Sequence, residues 1–417
     1  MEGRQMKKGV IWITLVLAVF LSASKPAYAE EAPKGLGPGW LSLDGSVGLL
    51  DQKVEEGKGA IEKALGISIS GFLDTSYTWS SNRPSSPSNI SGRYFDKDQN
   101  KIVFNDFNLT LEKPEKDWGV GAKLVADFGR TAELLREATF WGGSKRFPAA
   151  LRDESSAELR EAFLTYTIPV GAGLQVKGGK FVTLMGTEVI PAPGSPNPNI
   201  SRSFLFNFAI PFTHTGVLFT YPVTGMLTVM GGPVTGWDDP HDNNRSPSFH
   251  GGFTFTPAEI FSLATSLMAG PEQFHNSGRG RFTISNVATI KATSALTLFL
   301  EYSYGNEEKV TASLRNGTWQ GVAGIASYDW TDRFNTALRG EVFNDRDGAR
   351  LGGDVPGTHK DVTVSEMTLT GSYKFTKMLL GRVELRQDWA DRRFYWRHDT
   401  GSDKSQTTLA LQAIYTF

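Results

Sequence analysis

The chain has 417 residues, with 43 Lys or Arg against 44 Asp or Glu for a net charge of -1, and it has no cysteine. Balanced charge gives no support for nucleic-acid binding or a polybasic membrane anchor, and the missing cysteine excludes disulfides and thiolate metal sites. A mean hydropathy of -0.25 excludes a bundle of membrane-spanning helices. Instead, 45 glycines and 27 phenylalanines alongside only 21% charged residues fit many strands joined by tight turns.

In chain order, a basic stretch (Arg4, Lys7, Lys8), an apolar run from Val10 to Leu21 and Ala27-Tyr28-Ala29 read as a secretory signal over residues 1–29, cleaved before Glu30. The apolar run is too short for a spanning helix, which needs roughly 18 to 20 residues. Residues 30–66 open on the Pro/Gly-rich Pro33 to Trp40 and then place Leu50, Val54, Ile61 and Leu65 on one helical face. That short helix belongs either on the periplasmic side or inside a pore.

From Ile67 to Phe417 the pattern changes to period two. Expected strands run Ile67 to Ser80, Ile102 to Lys113, Trp118 to Phe128, Ala157 to Ile168, Leu174 to Thr183, Phe208 to Tyr221 and Met226 to Trp237, with the beat sustained to the end. Connections alternate in length. Pro114 to Asp117, Pro169 to Gly173, Pro222 to Gly225, Pro257 to Glu259, Thr293 to Ala295, Thr331 to Arg333 and Thr376-Lys377 are short, whereas Asn82 to Asn100, Arg130 to Ser156, Met185 to Ser203 and Asp391 to Lys404 are long and mostly polar. Short periplasmic turns alternating with long extracellular loops are the mark of an all-β, transmembrane antiparallel β-barrel of a bacterial outer membrane, here of about sixteen strands within a range of fourteen to eighteen.

The two faces of each strand differ in chemistry. Over Leu379 to Trp389, Gly381, Val383, Leu385 and Trp389 share a face with Gln387, while Arg382, Glu384, Arg386 and Asp388 fill the other. Unpaired buried charge is costly, so this second row is expected to line a water-filled lumen. Similar logic turns Asp74, Asp106, Glu112, Lys123, Asp127, Glu161, Glu301, Arg339, Glu341, Glu366 and Lys374 inward, opposite rows such as Trp118-Val120-Ala122-Leu124-Ala126-Phe128. Aromatics near strand ends, among them Trp79, Trp237 and Trp389 toward the long loops, predict two interfacial girdles. The last strand carries Leu409, Leu411, Ala413, Tyr415 and Phe417 outward, and Tyr415 and Phe417 are expected to serve as the signal read by the barrel-assembly machinery.

Gly179-Lys180-Phe181 through Pro211-Phe212-Thr213-His214-Thr215-Gly216, together with Gly71 to Tyr77 and Phe104 to Pro114, resemble the OmpL-like porins of the β-barrel porin-2 family. The resemblance covers most of the chain after the signal and implies a pore. It carries over no catalytic or ligand residues, and it implies neither enzymatic activity nor a cofactor. The expected role is passive diffusion of small hydrophilic solutes or ions across the outer membrane, in contact with its lipids; a homotrimer follows only by analogy with wide porins. A structural or adhesive barrel and a barrel hydrolase are the alternatives. The first needs a plugged lumen, and the second needs a nucleophile beside one of only six His.

Wide porins are narrowed by a loop folded inward against charged wall residues. Two loops qualify: Arg130 to Ser156, with Arg130, Arg136 and Arg152 and a short helix over Thr131 to Ala138, and the loop ending near Arg202. Either one folds in, setting an Arg beside carboxylates, or both stay outside as a solvated rim. His214 reads as a ligand or gating group, or as a hydrogen-bonded wall residue. Asp238 to Asn244 and Asp345 to Gly348 are oxygen-rich, but neither completes a calcium loop.

Overall fold

The computed structural model describes residues 43–84, 90–115, 119–141, 156–191, 197–311, 314–351, 361–398 and 401–417. The signal segment, Pro33 to Trp40, Trp118 and Arg152 lie outside the described residues. The chain divides into Met1–Leu50 and Asp51–Phe417. Residues 43–50 form the opening turns of helix α1 (Leu43–Leu65).

Among the described residues, sixteen strands close into one antiparallel barrel. They are β1 (Ser68–Ser80), β2 (Ile102–Lys113), β3 (Gly121–Phe128), β4 (Ala157–Ile168), β5 (Leu174–Val182), β6 (Thr213–Pro222), β7 (Leu227–Val234), β8 (Ser248–Ala258), β9 (Phe261–Gln273), β10 (Asn276–Lys291), β11 (Leu296–Glu307), β12 (Gly317–Asp329), β13 (Phe334–Asp345), β14 (Val362–Lys374), β15 (Leu379–Ala390) and β18 (Ser405–Thr416). A small hairpin, β16 (Tyr395–Arg397) and β17 (Gly401–Asp403), sits in the loop before β18. Helix α2 (Arg130–Trp141) follows β3 and is longer than the expected Thr131 to Ala138.

Side-chain alternation explains the closure. Leu300, Val322, Leu338, Met367, Leu369 and Leu385 point outward and are 45–55% exposed, forming an apolar band that water would not tolerate but lipid satisfies. Closure leaves no free strand edge in the hydrocarbon. Four of the short turns share a device: the hydroxyl oxygens of Thr224, Thr293, Thr331 and Thr376 each accept the amide N–H groups two and three residues on, at 2.9–3.2 Å. A Thr therefore begins each turn and an apolar residue restarts the next strand.

The seam joins β1 to β18, with the Gly71 and Phe417 backbones exchanging two 3.0 Å hydrogen bonds. The Phe417 ring lies against Gly71, where a Cβ would fall 2.5 Å from its Cζ, and it stacks on Phe107 at 6.2 Å. Tyr415 donates its hydroxyl to Asp51 at 3.2 Å, and Glu62 accepts the Ile69 amide at 2.7 Å, so the barrel portion of α1 meets the seam strands at the short-turn end. We expect Phe417→Ala to lower the fraction of chains reaching the heat-resistant folded band in semi-native electrophoresis, and Phe417→Tyr to restore it. Equal yields for all three would reduce Phe417 to one aromatic among many.

Two sequence expectations change here. The strand expected from Phe208 begins only at Thr213, because Leu205–Ala209 form a buried π-helical turn; despite the alternate spacing of Phe204, Phe206 and Phe208, these residues join an interior cluster with Phe212, Trp319 and Phe343. Trp237, expected in the outer girdle, is 3% exposed and meets Trp319 edge-on, so it belongs to the interior.

Candidate pore constriction

The described parts of the β5–β6 loop, residues 183–191 and 197–212, fold into the lumen. Strand inner rows hold the loop by its backbone rather than by its side chains alone. At its start, the Leu184 amide donates to His250 Nε2 on β8 at 3.1 Å, the Gly186 amide to Ser285 on β10 at 3.3 Å, and the Thr187 amide to Glu301 on β11 at 2.8 Å. Further on, Glu384 of β15 accepts the Ile200 and Ser201 amides at 2.5 and 2.9 Å. Glu341 of β13 accepts those of Phe204 and Leu205, both at 2.6 Å. A carboxylate bound to two successive N–H groups makes a strong, directional clamp.

These clamps sit within a chain of alternating charges. Arg93, from the β1–β2 loop, donates to Asp388 at 2.8 Å; Asp388 accepts from Arg386 at 2.7 Å; Arg386 approaches Glu366 at 3.6 Å; Glu366 accepts from Arg339 at 2.7 Å; and Arg339 donates to Glu188 of the inward loop at 2.8 Å. Arg339 and Arg386 also donate to the Ser201 and Arg202 carbonyls, each at 2.7 Å. Burial alone would push the Arg93 guanidinium down, but Asp388 and Asp96 beside it hold it above its ordinary value. The network thus fastens two loops to three neighbouring strands.

An aromatic layer adjoins it, with the Arg386 guanidinium 4.9 Å from the centroid of the Phe204 ring. Tyr94 and Phe95 pack on Phe212 at 5.3 and 5.2 Å, and Phe206 packs on Phe212 at 5.4 Å. Phe394 and Tyr395, from the β15–β18 loop, are also fully buried. The lumen wall expected to be polar throughout is therefore partly covered by rings.

The charged residues expected along the pore divide by burial. Asp74, Asp106, Asp127, Glu161, Glu301, Arg339, Glu341, Glu366, Arg382, Glu384, Arg386 and Asp388 lie on inner rows but are at most 8% exposed. The expectation that such charges sit in open water is corrected for the Arg382-to-Asp388 row: burial is tolerated because each is paired or hydrogen-bonded. Lys123 is half-buried beside Glu161 at 3.3 Å, and Lys374 is exposed at the short-turn end.

The Arg residues expected at the constriction separate. Arg202 lies in the inward loop, yet among the described residues it forms no ion pair with a wall carboxylate; it donates to its own loop's carbonyls at Val189 and Ile200, at 3.1 and 2.9 Å. It is a strut of the loop fold. Arg130 and Arg136 stay with α2, Arg130 on Asp98 and Glu133 and Arg136 on Glu158 at 3.4 Å. Sequence reasoning missed Arg93, Glu188 and His250. The one available signal was the excess of inner-row charge, which demanded partners from loops.

His214 and His250 pack with ring centroids 4.2 Å apart and ring planes tilted by 31°. His214 bonds Gly236 O and Thr183 Oγ1 at 3.0 and 3.2 Å; His250 accepts the Leu184 amide, so its proton is on Nδ1, facing Leu267 O at 3.0 Å. Both are wall residues that seat the start of the inward loop.

Asp238, in the β7–β8 loop, seats its end by accepting the Phe212 and Thr213 amides at 2.6 and 2.8 Å. Burial pushes this carboxyl up to about 6 despite those donors. A free Asp titrates near 4, so the folded state holds the proton more tightly and this site's contribution is full below about pH 4 and declines as pH rises through about 6. The thermal midpoint of the wild type should fall over that window, and Asp238→Asn should flatten the fall; parallel pH curves would exclude this role.

A closed sixteen-stranded barrel with an apolar exterior and a loop folded into its lumen is a porin-type outer-membrane barrel. Residues 66–417 match the family described as "Putative beta-barrel porin-2, OmpL-like", and the chain belongs to that family. No curated protein sequence matches it. Among solved structures, it is similar to the outer membrane channel DcaP of Acinetobacter baumannii, at 14% identity and TM-score 0.54 over 84% of this chain and 97% of that one. The anion-selective porin from Comamonas acidovorans aligns at 10% identity and TM-score 0.57 over 84% and 99%. Salmonella typhi OmpF, in complex with daunomycin, aligns at 11% identity and TM-score 0.56 over 84% and 97%. At these identities the likeness is one of fold.

Proposed function

We propose that the protein is a bacterial outer-membrane porin that passes small hydrophilic solutes or ions passively, with the β5–β6 loop as its constriction. The observation that carries this reading is a backbone segment held across the lumen by wall carboxylates on β11, β13 and β15. A loop so fastened narrows a channel without a moving part. His214 and His250 are buried and committed to loop anchoring, which leaves neither of them free to serve as the base of the rival hydrolase reading. No cofactor enters, and the driving force is the solute gradient. In this reading the assembly machinery inserts the barrel through its Tyr415 and Phe417 end, its outer band meets lipid, and a trimer is the assembly inferred by analogy with wide porins.

The test is swelling of liposomes containing the purified, folded full chain. Uncharged sugars of increasing size should enter at falling rates. Folded protein that admits neither the smallest sugar nor ions would favour a closed structural barrel.

A further inference from the structure

Below the constriction, toward the short-turn end, the inner rows of β3, β4 and β5 carry a cation without a matching carboxylate. Lys177 lies five residues before Val182, where β5 ends and the inward loop begins. It sits opposite Thr165 of β4 and Leu218 of β6. Its ammonium stands 4.7 Å from the centroid of the Phe163 ring and 5.7 Å from that of Phe181, and it is half-buried, so it is held by ring faces while one side stays open.

The neighbouring carboxylates are engaged elsewhere. Glu161 pairs with Lys123 at 3.3 Å and accepts the Val182 amide at 3.5 Å. Glu158 is bonded to Lys180 and, at 3.4 Å, to Arg136. Glu112 of β2 is the register partner of Lys123 on β3 and is exposed at the short-turn end. Among the described residues, Lys177 makes no ion pair.

Resting on the porin reading, we infer that Lys177 with Phe163, Phe181 and Thr165 forms a docking site for small organic monoanions on the periplasmic side of the constriction, and that it biases the channel toward anions. The carboxylate of the solute meets the open side of the ammonium, where Thr165 supplies a hydroxyl donor. Its apolar body meets the two rings. The protein's overall charge of -1 does not predict such a bias; a local, unmatched charge in a low-dielectric wall does.

Reversal potentials across planar bilayers under a potassium chloride gradient test this, with benzoate as the organic probe. The wild type should favour chloride, and benzoate should reduce its current. Lys177→Gln should bring the chloride-to-potassium permeability ratio toward unity and abolish the benzoate effect, and Lys177→Glu should bring the ratio below unity. Lys377→Gln, the same loss of charge on an exposed short turn, should match the wild type. Folded Lys177 variants with wild-type selectivity and benzoate response would overturn the docking site while leaving the porin reading intact. Folded wild-type protein that passes no current overturns both.

Discussion

Arg339→Ala is expected to be the most damaging single substitution in the barrel, costing about 3–5 kcal/mol, because it breaks a buried ion network from one side. Arg339 is fully buried and donates to Glu366, Glu188, the Ser201 carbonyl and the Ser201 hydroxyl. Removing it leaves two carboxylates in a low-dielectric wall without their principal counter-charge. Arg339→Lys recovers the charge but not the planar fork that reaches β14 and the loop together, so it should recover only part of the loss. Denaturant titration of folded protein in detergent reads the order wild type, Lys, Ala. A midpoint for Arg339→Ala equal to the wild type would mean that water already occupies this network.

The second large effect concerns the loop rather than the barrel. Glu341→Gln together with Glu384→Gln converts four charge-assisted backbone hydrogen bonds into neutral ones, of which a glutamine oxygen can retain a part. The loss is on the order of 3 kcal/mol of docking energy, which is about a hundredfold in the ratio of displaced to docked loop. The strand ladders are untouched, since none of their backbone bonds uses these side chains. The double variant should therefore remain heat-resistant as a barrel while its 183–212 segment becomes sensitive to added protease. Protease resistance equal to the wild type would show that the remaining anchors, among them Glu301, Asp238, Arg339 and the aromatic layer, hold the loop without these two carboxylates.

Much of the barrel was legible in the sequence because strands obey a simple rule. The outward row of Gly381, Val383 and Leu385 and the inward row of Arg382, Glu384, Arg386 and Asp388 both lie where period two puts them, and β15 runs Leu379–Ala390 against an expected Leu379 to Trp389. The Thr-started turns were visible as places, though the hydroxyl that builds them was not. Loops obey no such period. The expected strand start at Phe208 falls instead within a lumen-filling turn, Leu205–Ala209, whose Phe206 packs on Phe95 from a loop over a hundred residues earlier.

The same limit governed the site. Reasoning from the cost of buried charge sent the inner carboxylates to water, where the protein instead supplies them with loop amides and with Arg93. Arg202 illustrates the point most clearly. Its loop was among those expected to fold inward, yet the residue serves the loop's own carbonyls, and the contacts to the wall are made by Glu188 and by backbone N–H groups that carry no sequence signature.

The central claim is that a loop clamped by Glu341 and Glu384 limits the pore. Single-channel recording of the folded double variant Glu341→Gln, Glu384→Gln in planar bilayers tests it most directly. The account predicts a larger and noisier conductance than the wild type, as the loop leaves the lumen intermittently. A steady conductance equal to the wild type, in the same salt and at the same voltage, would contradict it.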